Sequence, residues 1–186
     1  FLVNANGQRF GNETTGYSEF AVKVIAQPES QAWMIYDKAV HEKALPFADY
    51  QQMVESGGIR WTDDVAGLAS LIGCDEAAIS ATLEGIANFG SGAAVDPLGR
   101  TLWPHDLEPP FTAIKVTGAL FHTQGGLSVN EHANVLRGGK TIPGLYAAGG
   151  AAIGISGNGA SGYLSGNGLL SALGLGYLAG RAICHG

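Results

Sequence analysis

The stretch GISGNGASGYLSGNG, from Gly154 to Gly168, constrains this chain more than any other. It follows a strand-like run, GLYAAGG, and contains Gly157-x-Gly159-x-x-Gly162, the spacing with which a strand-to-helix turn wraps a dinucleotide pyrophosphate. That reading requires a complete βαβ unit and an acidic residue about 20 positions further on for the ribose hydroxyl. Too few residues separate Gly162 from Gly186 to build the unit, and none of them is acidic. The dinucleotide reading fails. The same glycines still let a backbone approach a flat group closely. The stretch 162–168 also opens a helical run whose free N–H groups would face an anionic or electron-rich ligand.

Composition divides the chain in the same place. The 29 glycines concentrate after Gly118, and no Asp or Glu occurs beyond Glu131. The second half can therefore bring backbone close to a ligand without presenting negative charge. With 186 residues, 46% of them hydrophobic, the chain can bury a real core in one or two domains. A net charge of −6 and the lack of any basic run exclude a nucleic-acid partner. Cys74 and Cys184 are far apart, without CxxC spacing. They read as reduced thiols of a cytoplasmic protein, with one long-range disulfide as the alternative. The five histidines show no metal-ligand spacing, so no metal is expected. The apolar run 164–183 approaches the length of a membrane span and carries Gly176-x-x-x-Gly180. Ser165, Asn167 and Ser171 argue against insertion, and a helix in a protein core is the expectation.

Along the chain, FLVNANGQRF with its Asn6-Gly7 pair predicts a hairpin. Ala32–Tyr36 reads as a strand, and 37–58 as helix broken by Pro46. Thr62 is the expected N-cap of a helix reaching about Ile72, and a second helix starts near Asp75 with Ile79, Leu83, Ile86 and Ala87 on one face. Strands are expected at 111–117, 127–130 and 145–148, the last introduced by the turn GGKTIPG. One long helix, about 164–183, ends the chain.

Six spaced motifs are NGQRFGNE (6–13), DPLGR (96–100), PPFTAIKVTGALFHTQGGL (109–127), IPGLYAAGG (142–150), GYLSGNG (162–168) and GLGYLAGR (174–181). In order and spacing they resemble the C-terminal part of the flavoproteins related to fumarate reductase, succinate dehydrogenase and 3-ketosteroid dehydrogenase. The resemblance implies a mixed α+β or α/β fold: a capping, or lid, domain of helices and short strands inserted into an FAD-binding domain that ends in a long buried helix. The lid would span 14–110, with FAD-domain pieces at 1–13 and 111–186, and the Gly/Pro stretches GSGAAVDPLG and PHDLEPP would be its hinges. The family's own ADP-binding GxGxxG lies nearer the N-terminus than anything here. The chain is therefore expected to be a fragment that holds FAD weakly or not at all by itself.

The resemblance also implies roles for single residues. Arg100 would stand where fumarate reductases have a proton-donating lid arginine, or else be a surface arginine in a loop. His122 would bind a substrate carboxylate, or else be a hydrogen-bonded structural histidine. Tyr163 occupies the place of a carboxylate-clamping arginine, and its phenol suits a ketone oxygen instead. With Tyr17, which follows RFGNE, and Ser165, it gives a pattern closest to the 3-ketosteroid dehydrogenases. The flavin ring would lie against Gly125, Gly126, Gly166 and Asn167, with Gly149, Gly150, Gly168 and Leu169 completing the cofactor-binding set. Gly150 stands where many fumarate-type members have an acidic residue for the ribityl chain. The expected activity is FAD-dependent hydride transfer at a carbon next to a carbonyl-activated position. An enoate reductase and an inactive, self-associating fragment are the alternatives. The partner implied is a small ketosteroid or enoate; the electron partner is left open.

Overall fold

The computed structural model describes residues 1–120 and 123–185. Two compact units result, Phe1–Gly118 and Ala119–Gly186.

The first unit is built on an antiparallel sheet of order β1-β2-β4-β3, comprising β1 (Leu2–Val3), β2 (Gln31–Asp37), β4 (Phe111–Thr117) and β3 (Trp61–Thr62). Alternation along β2 and β4 sends residues to opposite faces. Ile35 and its register partner Ala113 join Val3 and Phe111 on one face, where α4 (Val65–Ile72) and α5 (Glu76–Gly90) cover them through Leu68, Ala69, Ile72 and Ile79. Ala32 and its partner Val116 meet Phe20 and Val24 of α1 (Tyr17–Ile25) on the other. Fully burying Ile35, Leu68 or Ile79 is worth about 1.5–3 kcal/mol each, which locks the helices to the sheet. The helices α2 (Lys38–Ala44) and α3 (Ala48–Glu55) flank Pro46, as the proline requires.

Several local expectations shift. The N-cap of α4 is Asp64, whose side chain accepts from the Gly67 N–H at 2.7 Å, while Thr62 ends strand β3. Asp75 caps α5 by accepting from Ala77. The Asn6-Gly7 pair does form a turn, closed by Asn4 N–H to Gln8 C=O and Gly7 N–H to Asn4 C=O, each at 3.0 Å. Its first arm, however, is β1 paired to β2, and the turn docks on α5 through Thr82 Oγ1, which donates to the Gly7 carbonyl. Partners distant in sequence outcompete the local hairpin.

The second unit contains a hairpin of β5 (Asn134–Arg137) and β6 (Lys140–Tyr146), and the long helix α6 (Asn167–His185). Gly138 and Gly139, both at positive φ, make its turn, so the glycine pair sits inside a hairpin rather than ahead of a strand. Strand β5 was not foreseen, and 127–130 contributes isolated bridges at Leu127 and Val129 instead of a strand. The helix α6 is long but not buried: only Asn167 and Ser171 are enclosed, whereas Leu169 and Leu173 are 74% and 75% exposed. Its apolar composition calls for partners on every side, and this unit supplies them on one, through the turn Gly149–Ala151 and the hairpin core around Val135.

The first compact unit runs to Gly118, because β4 pairs with β2 along seven residues, from Phe111 to Thr117. Among the described residues no single helix is long and apolar enough to cross a membrane. Both cysteines are free thiols.

Candidate functional site

In the second unit the glycine-rich segments converge. The Leu127 N–H donates to the Ala151 carbonyl at 2.9 Å and the Ile153 N–H to the Leu127 carbonyl at 3.0 Å, so 124–129 runs beside 151–154. Gly126 is packed inside that pairing: a Cβ there would lie 2.3 Å from the Ala152 carbonyl carbon. Gly149, at φ +56°, rests on Ala172 of α6, where a Cβ would meet another at 3.3 Å. These two glycines serve internal packing.

Two of the GxGxxG glycines have a comparable use. The Gly157 N–H donates to the Gly162 carbonyl at 2.7 Å, and a Cβ on Gly162 would stand 2.4 Å from the Gly157 carbonyl carbon. The motif closes a loop on itself. Just ahead of it, Ser156 Oγ accepts from the Leu164 N–H and from the Asn167 side-chain amide, fixing the entry to α6. Ser156 had no signal in the sequence beyond its place in a glycine loop.

Gly125, Gly150, Gly166 and Gly168 are different. A Cβ on any of them would enter open space. Gly166 sits at φ +80°, directly before α6, whose first amides lack intrahelical partners by position. Around Asn167 the chain has bare backbone on both sides, a helix N-terminus and, in the sequence, no acidic side chain after Glu131, features that suit close approach of an electron-rich group. Half-buried Tyr163 and exposed Ser165 lie just ahead of α6 in the sequence, and Leu169, its third residue, is exposed.

The first unit holds the remaining candidates. Tyr17 is the first residue of α1 and 68% exposed. Arg100 is not a free surface arginine. Its Nη1 donates to Glu13 at 3.3 Å, its Nε to the Leu102 carbonyl at 2.9 Å, and its guanidinium stacks 4.1 Å from the Trp103 ring. Behind it Arg9, with a side chain 5% exposed, grips two carboxylates. Its Nε and Nη2 reach Glu13 at 2.8 and 2.7 Å, and its Nη1 and Nη2 reach Asp96 at 3.1 Å each. Two cations and two anions leave the cluster neutral, the condition under which charges can be buried. Burial, the largest single influence, pushes Glu13 up, but the Arg9 hydrogen bonds, a backbone hydrogen bond and the attraction of nearby positive charge together hold the carboxyl below its ordinary 4.5. Asp96 follows the same balance and lies below 3.8. Arg9, Glu13 and Asp96 were legible only as parts of RFGNE and DPLGR, and Trp103 carried no signal; their pairing across the chain was not legible. His122 lies outside the described residues.

Residues 1–169 match the family described as FAD binding domain. The chain belongs to that family. FAD is the family's cofactor. A probable fumarate reductase of Shewanella frigidimarina is 30% identical over 183 residues, covering 96% of this chain and 30% of the relative. The open conformation of a flavocytochrome c3 fumarate reductase superposes with a TM-score of 0.75 at 29% identity, over 96% of this chain and 31% of that one. A 3-ketosteroid-Δ4-(5α)-dehydrogenase from Rhodococcus jostii, solved with 4-androstene-3,17-dione, gives 0.63 at 27% identity, over 100% and 38%. The chain thus spans about a third of the length of the relatives it matches.

Proposed function

We propose that this chain is the substrate-side part of an FAD-dependent oxidoreductase acting on a carbon–carbon bond next to a ketone, in the manner of the 3-ketosteroid dehydrogenases. The flavin, when bound, supplies the hydride exchange. Tyr163 donates its phenolic hydrogen to the ketone oxygen, which draws charge from the neighbouring carbons and eases loss or gain of a proton there. Tyr17 handles that proton. Ser165, two residues from Tyr163, supplies a second polar contact. The first amides of α6 favour negative charge at the ring edge beside them. As part of the same reading, 14–110 acts as a lid that admits substrate and then excludes water.

The observation that carries this reading is the engagement of Arg100. Its guanidinium is engaged by Glu13, the Leu102 carbonyl and Trp103, which supports a structural use of Arg100 over the proton-donating use that the fumarate-reductase reading needs. That second reading keeps its support from the fumarate reductases among the relatives. Turnover of a 3-ketosteroid and of fumarate by the FAD-loaded enzyme containing this chain separates the two. Tyr163→Phe and Tyr17→Phe should each lower kcat/KM on the ketone about 10²–10⁴-fold with flavin content unchanged. Near-wild-type turnover by Tyr163→Phe on every ketone tested sinks the ketosteroid-like reading. Strong fumarate turnover, abolished by substituting Arg100 or His122, favours the rival.

A further inference from the structure

The helix α1 starts at Tyr17 behind Gly16, with no side-chain hydrogen bond capping it. Something else must fix where the helix begins. The five residues ahead of it are tied to the Asp96–Arg100 loop at two points. Asn12 Nδ2 donates to the Gly99 carbonyl at 2.8 Å, and Glu13 joins Arg100 and, through Arg9, Asp96. Glu13 Oε1 also accepts from the Leu2 N–H at 3.2 Å, which fastens the same point to strand β1. Asn12 Oδ1 in turn accepts from the Thr14 N–H and hydroxyl, tightening the turn that leads to Gly16. Trp103 closes the cluster, with Arg9 4.9 Å and Arg100 4.1 Å from its ring centroid.

We propose that Glu13, with Arg9, Asp96 and Arg100, is a positioning device that sets the entry to α1 and thereby the Tyr17 hydroxyl. The proposal rests on the reading of Tyr17 as the proton-handling group. Replacing a buried ionic cluster with apolar residues of similar volume is often neutral or stabilising, so packing alone gives no reason for four charges here. Directional fork-to-carboxylate bonds do, because they fix orientation as well as distance. Arg100 then acts through Glu13 and the segment it holds, and is a positioning residue rather than the acid itself.

Two measurements test this. In the 186-residue chain, amide hydrogen exchange across 14–20 should quicken at least about tenfold in Glu13→Gln, with β5 and β6 unchanged. Unchanged exchange in 14–20 overturns the proposal whatever Tyr17 does. Asp96→Asn, which removes one of Arg9's two carboxylates, should act in the same direction and serves if Glu13→Gln does not fold. In the FAD-loaded enzyme, a cycle of Glu13→Gln, Tyr17→Phe and the double variant reads the coupling. Misplacement by an ångström costs about 10²-fold; Glu13→Gln should therefore lower kcat by about that factor with KM nearly constant. The double variant should be no slower than Tyr17→Phe alone. Additive losses, or an unchanged kcat in Glu13→Gln, overturn the positioning role. If Tyr17→Phe alone is harmless while exchange still quickens, the reading of Tyr17 falls and the clamp on the segment stands.

Discussion

Glycine does two jobs in this molecule, and single substitutions separate them. At Gly126 the missing Cβ is replaced by the Ala152 backbone, so a methyl would have to displace a carbonyl carbon 2.3 Å away. Overpacking of this kind costs about 1–3 kcal/mol or more. At Gly168 the same methyl meets nothing, and in a helix alanine is favoured over glycine by up to about 1 kcal/mol. Gly126→Ala should therefore lower the urea midpoint of the second unit, whereas Gly168→Ala should keep or raise it while weakening FAD retention in the complete enzyme. A Gly168→Ala variant that binds FAD as wild type would show that the ring does not lie against this face. The two phenols belong to the same scale, since each differs from phenylalanine by a single oxygen whose loss the ketone assay reads.

The elements show how capping and register share the work. The start of α4 is decided by one carboxylate: Asp64 accepts from Gly67 N–H at 2.7 Å, and no other side chain caps it. Asp64→Ala should cost about 1 kcal/mol of stability in urea unfolding, within the 0.5–2 kcal/mol span of lost N-caps. Loss of less than a few tenths would mean that α4 is held by Leu68, Ala69 and Ile72 against the sheet and not by its cap. By contrast α6 begins without acidic help in its first turn. That leaves its N-terminal field uncompensated, as an anion-facing helix start requires.

For the molecule as a whole, acid is the revealing perturbation. Glu13, Asp96 and Asp37 all lie below their ordinary values of 4.5, 3.8 and 3.8. For Asp37 burial pushes upward, and the Val40 N–H, His105 and the Glu108 N–H more than offset it. A carboxylate depressed in the folded state gives stability that is complete above its unfolded value and lost as pH falls through its folded value. The first unit should thus hold constant stability, as far as these groups are concerned, above about pH 4.5 and weaken progressively below it, first through Glu13 and then, below 3.8, through the two aspartates as well. All three groups lie in Phe1–Gly118, so fluorescence of Trp33, Trp61 and Trp103 reports the loss. A flat tryptophan signal from pH 5 to pH 2 would contradict the linkage.

Local chemistry was enough to foresee β2, the Pro46 break, α5 with its Asp75 start, and the long last helix, because each depends on periodicity or a cap within a few residues. The glycine count and the acid-free second half pointed to a backbone cradle for the same reason: they describe what the chain lacks at every position. Tertiary structure alone decided which glycines are packing and which are open, since the difference lies in Ala152, Ala172 and Gly157, each brought in from another segment. It also decided what engages Arg100. The residues that engage it include Glu13, separated from it by 87 positions, and no local pattern encodes a hydrogen bond across that distance. The exposure of α6 follows the same logic: an apolar helix specifies that it wants partners, and only the packed structure determines which of its faces receive them.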